Sequence, residues 1–327
     1  MTLTTGPEAG CTPRAPAELS GAWSAVAERR SPASIFLTPE WIAVARTHDS
    51  AEALTLAVGD PPNGVAALAR DADGTLRFAG GELTDEQDVV APGGEEHAVA
   101  STVARWIAGA SPRKVRLEFV PEDVPTLGTM AAVLGEHGYR VQRSRLITSP
   151  RLPLPGDFET YVQGLGKKER HELRRKIRRL ENATQATFRW ATEAERGTTL
   201  DRFFALHRLS RGEKADFMTT DVERFFRDIA DALAPLGRLR LGVLRAHDED
   251  AAVLFAFAYR GTLALYNAAY DPALASLSIG IVSHAWAIRE AIGERFDTYD
   301  LLRGDEPYKY DLGATDRWLG RLEAVLP

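Results

Sequence analysis

The sequence predicts an α/β chain of the α+β kind, organised as two units in tandem, each a mixed, largely antiparallel sheet flanked by helices. Three observations carry this. One order of elements occurs twice: three consecutive short strands, then a helix, then a strand. Within each triplet the strands are separated by short turns and not by helices, whereas a parallel sheet needs a crossover between every strand pair, so a Rossmann arrangement is disfavoured. Finally, the stretch SPRLPLPGD (149–157), with three prolines and a glycine, reads as a connector and divides the chain into residues 1–150 and 151–327.

Residues 1–16 are small, polar and proline-containing, the composition of a loose tail. Two short helical patterns occupy 17–47, the second opening on Thr38-Pro39-Glu40 with Thr as N-cap and Pro at the first helical position. The strands LTLAVG (54–59), GVAALAR (64–70) and TLRFAG (75–80) are bounded by Pro-Pro-Asn-Gly and Asp-Ala-Asp-Gly, both turn sequences. A helix over 98–108, a strand over 114–120, a helix around 126–138 and a strand over 139–145 complete the first half. The second half begins with a helix over 164–183, a strand over 187–192 and helices around 199–211 and 221–234. Strands over 238–246, 251–261 and 262–271, a helix over 279–294 and the strand DTYDLLR (297–303) follow.

With 327 residues, 44% of them apolar, the chain has material for two real cores, and its formal charge of −6 argues against a protein whose whole surface coats DNA. No run approaches the ~18 apolar residues of a membrane span, and MTLTTGPEAGCTPRAP lacks the order of a signal peptide. Cys11 is the single cysteine, so neither a disulfide framework nor a cysteine-ligated metal cluster can be assembled, and a cytoplasmic location fits. The seven histidines, His48, His97, His137, His171, His207, His247 and His284, show no i,i+4 pair and no HExxH pattern; no metal site is expected.

Charge is local. Between Lys167 and Arg179 lie eight cations, among them Arg174, Arg175 and Arg178, against Glu169 and Glu172, with Glu181 following. Leu173, Ile177 and Leu180 make a narrow docking stripe, which leaves the other faces basic. Two readings stay open: a solvated helix with internal pairs such as Glu172 with Lys176, or a landing site for an acidic or phosphate-rich partner. The loop FAGGELTDEQDVVAP (78–92) is acidic through Glu82, Asp85, Glu86 and Asp88, and a solvated turn is favoured over an acceptor pocket.

The run LYNAAYDPALASLSIGIVSHAW (265–286) leads from a strand into a helix whose start carries Ser278 and Gly280. It is either a cradle for an anionic or carbonyl group or an ordinary helix start with Ser278 as N-cap. Asn267 is expected to be a buried amide that orients a ligand or satisfies a neighbouring strand. Tyr266 and Tyr270 share a face, and His284 lies near the apolar stripe of its helix, as a core residue or a base. In LLRGDEPYKYDLGA (301–314), Gly304 and Pro307 force a bend at the end of a core strand. Arg303, Asp305, Glu306 and Lys309 project from that bend, to bind a ligand or to pair with one another.

TPEW (38–41), LPLPGDFETYVQGLGKKERHELRRKIRRLEN (152–182), the YDP turn (270–272) and LLRGDEPYKYDLGA together resemble the tandem GNAT-like acyltransferase family, itself similar to the GNAT superfamily and the Fem peptidyltransferases. The resemblance spans about residues 35–320. It implies two GNAT-like domains, with acyl transfer in the second. In the wider superfamily an R/Q-x-x-G-x-G/A loop binds the pyrophosphate of acyl-CoA; here the aligned residues are Leu277-Ser-Ile-Gly-Ile-Val282, with the first glycine alone retained. A donor with one phosphate, the phosphopantetheine arm of an acyl carrier protein, needs less of that loop, and the basic helix 167–179 suits such an acidic partner.

The function expected is therefore transfer of an acyl group from a pantetheine thioester, on CoA or a carrier protein, to an amine or hydroxyl of a small-molecule acceptor. Asp305 and His284 are the candidate bases. Arg303 and Lys309 would contact donor phosphate or acceptor anion, and Asn267, Tyr270, Ser278, Gly280, Arg174, Arg175 and Arg178 complete the candidate binding set. The alternatives are a Fem-like enzyme that takes its acyl group from aminoacyl-tRNA, and a non-catalytic scaffold for a polyanion or protein partner.

Overall fold

The computed structural model describes residues 10–210 and 216–327. Its contacts divide the chain into two compact units, one running to Thr148 and including Arg317–Pro327, the other Ser149–Asp316.

In the first unit, β1 (Cys11–Pro13), β2 (Glu52–Val58), β3 (Gly64–Arg70), β4 (Leu76–Phe78), β5 (Lys114–Pro121), β6 (Arg140–Thr148) and a strand from the far end of the chain, β13 (Trp318–Val325), form one sheet in the order β1-β2-β3-β4-β5-β13-β6. All pairs are antiparallel except β4 with β5. Helices Glu96–Ala110 and Thr126–Glu136 contribute Val99, Val103, Ile107, Met130 and Leu134 to a core with Leu56, Leu68, Val115 and Leu117. Helix Pro39–Thr47 starts as its sequence dictates: Thr38 Oγ1 accepts from the Trp41 N–H at 3.4 Å, and Pro39 occupies a position whose N–H has no intrahelical partner.

In the second unit, β7 (Arg151–Pro153), β8 (Thr187–Trp190), β9 (Leu239–Ala246), β10 (Glu249–Tyr259), β11 (Thr262–Tyr270) and β12 (Thr298–Asp300) are ordered β7-β12-β11-β10-β9-β8, again antiparallel except for one pair, β11 with β12. Helix Ile279–Gly293 packs Ala285, Ile288 and Ala291 against Leu254, Leu263 and Leu265. Helix Lys167–Ala183 docks through Leu173, Ile177 and Leu180, so the narrow stripe sets its orientation. Helices Arg196–Leu209 and Thr220–Leu233 bury Phe203, Phe204, Phe225 and Phe226 beside Phe255 and Tyr266.

Five details differ from the sequence reading. The expected tail contains β1, in which Cys11 pairs with Val58; residues 1–9 lie outside the described residues. The proline-rich connector contains β7, and DTYDLLR leaves the sheet after Asp300. The last residues do not stay with the second unit. Because helix Thr126–Glu136 makes β5 and β6 run parallel, β13 can lie antiparallel to both and close two strand edges at once, burying Leu319, Leu322 and Ala324. The acidic loop is no solvated turn either: Asp85, Glu86 and Asp88 are buried, Asp88 beside Arg30 at 2.5 Å and Glu86 against Arg317.

Among the described residues no helix is long and apolar enough to cross a membrane, and no group of three or more His, Cys, Asp or Glu side chains could hold a metal ion.

Cys11 reports on this packing. It is 4% exposed, and burial pushes its thiol up to about 12. Since the thiolate is the reactive form, native protein at pH 8 should react with a disulfide reagent at least ~100-fold more slowly than guanidinium-unfolded protein. Equal rates would show β1 to be detached.

Candidate active site

β11 and β12 pair in register at three positions only, Thr262 with Thr298, Leu263 with Tyr299 and Ala264 with Asp300. Beyond them the strands part, and β11 runs on to Tyr270 with β10 as its one partner. The parting coincides with a bulge. Ala256 pairs with Leu265 and Phe255 with Asn267, so Tyr266 is an extra residue in β11. A bulge bends the strand and disturbs the ladder where it sits. Asn267, half-buried, follows directly, and its Oδ1 accepts from the Ala268 N–H at 2.7 Å.

After β11, Asp271 Oδ1 accepts from Ala273 N–H at 2.9 Å and turns the chain into Pro272–Leu277 and then helix Ile279–Gly293. Ser278 adopts a left-handed backbone conformation (φ 58°) and makes no side-chain cap bond. Its hydroxyl instead accepts from Arg179 Nη2. A Cβ on Gly280 would stand 3.1 Å from the Tyr270 ring, so the glycine lets that ring lie against the helix start. Tyr270, Ser278 and Gly280 are thus brought together, and Arg179, which the sequence reading passed over, joins them. The cation missing from the local loop is supplied by the basic helix. Its one sequence signal is its position beside the buried Leu180, on the flank of the docking stripe.

Of the two roles left open for the charged motif, the structure shows pairing within the bend for Lys309 and Glu306. Asp300 ends β12 with its carboxylate 2.5 Å from Arg151 Nε and accepting from Leu302 N–H at 2.9 Å, while Leu302 (φ 55°) and Gly304 (φ 117°) take left-handed conformations. Lys309, 2% exposed, reaches back into this turn. Its ammonium donates to the carbonyls of Leu302 (2.9 Å), Arg303 (2.7 Å) and Gly304 (3.2 Å) and pairs with Glu306 at 3.0 Å. An ammonium has three hydrogens, and three carbonyls use them, so Lys309 holds the bend and is not presented to a phosphate. Asp305 is exposed at the tip, and Arg303 is half-buried.

His284 is 5% exposed and lies under Tyr308, the rings stacked at 5.0 Å and 12°. Burial, with Glu306 adding to it, raises the Tyr308 phenol above the ordinary tyrosine value, so it stays protonated. Tyr299 on β12 is fully buried, its phenol raised by burial and then by Tyr308 and Tyr161, and its hydroxyl has no hydrogen-bond partner. Tyr161 donates to the Leu312 carbonyl at 3.0 Å.

Of the basic-helix candidates, Arg174 pairs with Glu159, and Arg175 pairs with Glu172 at 2.6 Å, taking the carboxylate expected to serve Lys176. Arg178 Nε donates to the Arg174 carbonyl at 3.3 Å. Lys167, Lys168, His171, Arg175 and Arg178 are exposed, and at helical spacing they form one ridge on the side away from Leu173 and Leu180.

Residues 167–310 match the model of the acetyltransferase (GNAT) domain. Among solved structures the chain is similar to FemX (12% identity, 97% of each chain, TM-score 0.68). It is also similar to the C-terminal domain of a putative lysylphosphatidylglycerol synthetase from Agrobacterium fabrum (10%, 96% of this chain and 92% of that one, 0.61). A third similar structure is a tandem GNAT protein from the clavulanic acid biosynthesis pathway (12%, 97% and 98%, 0.51). No curated protein matches in sequence. Fold and domain together define an acyltransferase of GNAT type. The GNAT domain lies in the second unit, and the fold of the chain is similar to that of FemX.

Replacing Lys309 by alanine leaves three carbonyls of a tight turn without their donor and should cost about 2–4 kcal/mol, read in denaturant unfolding. Glu306→Gln, at a side chain 55% exposed, should change stability by less than about 0.5 kcal/mol. Equal effects would contradict the assigned role of the ammonium.

Proposed function

We propose that the second unit transfers an acyl group from a pantetheine thioester, on CoA or a carrier protein, to an amine or hydroxyl of a small molecule. One observation carries this reading: β11 and β12 part beside a helix start at which Arg179, Ser278 and Gly280 meet. A helix N-terminus offers unpaired N–H groups and partial positive charge, Arg179 adds a full one, and a donor phosphate suits both. The thioester would enter between the strands, where backbone N–H groups of β11 that β12 no longer pairs can polarise its carbonyl.

The acceptor nitrogen or oxygen attacks the carbonyl carbon, the carbon–sulfur bond breaks, and the thiolate leaves. Two protons need places. Asp305, exposed on its rigid bend, is the base we retain for the acceptor's proton; His284, with its ring stacked beneath Tyr308, is not. Tyr308, held protonated, suits the role of donor to the departing sulfur. Arg303 remains a candidate contact for an acceptor anion. The cytoplasm, where thiols stay reduced, is the compartment this reading assigns, consistent with Cys11 being unpaired.

The basic ridge favours a macromolecular carrier. Its residues Lys167 to Arg178 cover about 16 Å of helix, more than one phosphate needs, and Arg179 continues it to the donor site. An acidic acyl carrier protein is our first choice. An aminoacyl-tRNA, whose ester is also an activated acyl group, is the second.

Native mass spectrometry with acyl-CoA, acyl carrier protein and charged tRNA offered in parallel separates the donors. Arg179→Ala should raise KM for the donor about tenfold or more, with kcat changed less, as loss of a charge-assisted bond predicts. The combined variant Lys167→Ala, Lys168→Ala, Arg178→Ala should weaken a carrier-bound donor and abolish much of its salt dependence, with CoA itself little affected. Unchanged KM in both variants would sink the reading.

A further inference from the structure

The same strand topology in the first unit ends differently. There β4 and β5 are the parallel pair, matched at Leu76 with Val115 alone, and helix Glu96–Ala110 follows β4 as Ile279–Gly293 follows β11. In the second unit the segment joining strand to helix, 271–278, runs at the surface. In the first, the corresponding segment turns inward, and Thr84–Ala91 is buried throughout.

Backbone bonds show where it goes. Val90 exchanges both hydrogen bonds with Val65 of β3, at 2.7 and 2.9 Å, and the Gln87 N–H donates to the Phe119 carbonyl of β5 at 3.0 Å. The segment therefore bridges β3 and β5 across the gap left where β4 stops at Phe78. Side chains fix it from three directions. Asp88 is 3% exposed, 2.5 Å from Arg30 Nη2, and accepts from Val89 N–H at 2.8 Å; Glu86 pairs with Arg317; Gln87 Nε2 donates to Gly81 O at 2.9 Å. The cavity remaining beside it, lined by Trp23, Phe78, Thr84 and Asp88, is about 10 Å³, about the room one water needs. At the helix start beyond stand two carboxylates: Glu96 accepts from Gly94 N–H at 2.8 Å and Glu95 from Asn63 at 2.9 Å. Carboxylates stand where a phosphate would have to lie.

We propose that Thr84–Ala91 is a built-in occupant of the first unit's strand opening, so that this unit takes no pantetheine donor and each chain carries one donor site, in the second unit. The last clause rests on the function proposed above; the occupancy does not.

Hydrogen exchange on the full chain, with CoA as the probe ligand, tests both. The amides of Gln87 and Val90 should exchange as slowly as those of Val115 and Leu117, roughly a thousandfold or more below open-chain rates, and saturating CoA should leave residues 84–91 unchanged. Native mass spectrometry should show one CoA per chain, lost in Arg179→Ala. Exchange at Gln87 and Val90 within seconds, a CoA-dependent change in 84–91, or a second CoA would overturn the proposal. If no CoA binds at all, CoA is not the donor, acyl carrier protein takes its place as the probe for the count of donor sites, and the exchange rates of Gln87 and Val90 alone decide the occupancy.

Discussion

The ammonium of Lys309, buried and shared among the carbonyls of Leu302, Arg303 and Gly304, is the contact on which the second unit's site depends. A strand that pairs for three residues and then leaves its sheet exposes backbone acceptors at the point of departure, and buried acceptors need donors. Asp300 supplies a turn through Leu302 N–H, and Lys309 satisfies the carbonyls that follow. Without that clamp the carbonyls of Leu302, Arg303 and Gly304 lose their donor, and the far wall of the separation between β12 and β11 loses its main tie. Of the four charges close to this strand end, Lys309 and Glu306 are thus explained by the bend they stabilise.

The two units show one topology used in two ways. Each places three antiparallel strands before a helix and sets the next strand parallel to the third. A parallel pair that separates leaves two unsatisfied edges, and water, ligand or protein must meet them. In the first unit Gln87 and Val90 meet them; in the second, among the described residues, β12 stops pairing with β11 at Ala264. What distinguishes the units is the direction taken by a single connecting segment.

Much of this was legible in the sequence. Alternating apolar runs marked β2, β3, β9, β10 and β11, and turn residues marked their ends, because both are local properties of the chain. The repeat of element order followed from them. Hidden were the contacts made at long range. Glu86 and Asp88 read as solvated because acidic composition ordinarily is, yet their partners stand 231 and 58 positions away, at Arg317 and Arg30. Arg179, which meets Ser278 at the start of helix Ile279–Gly293, stands 99 positions before it. For Lys309 the motif leaves ligand contact and pairing with a neighbour equally open, because nothing in it reveals that the side chain curls back onto its own backbone. Spacing along a chain carries information about helices and strands, and very little about which distant charges will meet.

The placement of β13 bears on how the molecule is made. A ribosome delivers β5 and β6 long before Trp318–Val325, and until those residues emerge the two strands have a vacant lane between them. The early half can gather its helices and the core around Leu56 and Leu68 during synthesis, but its sheet is completed only once Trp318–Val325 has emerged. A nascent chain stalled before Trp318 would offer chaperones an unfinished sheet.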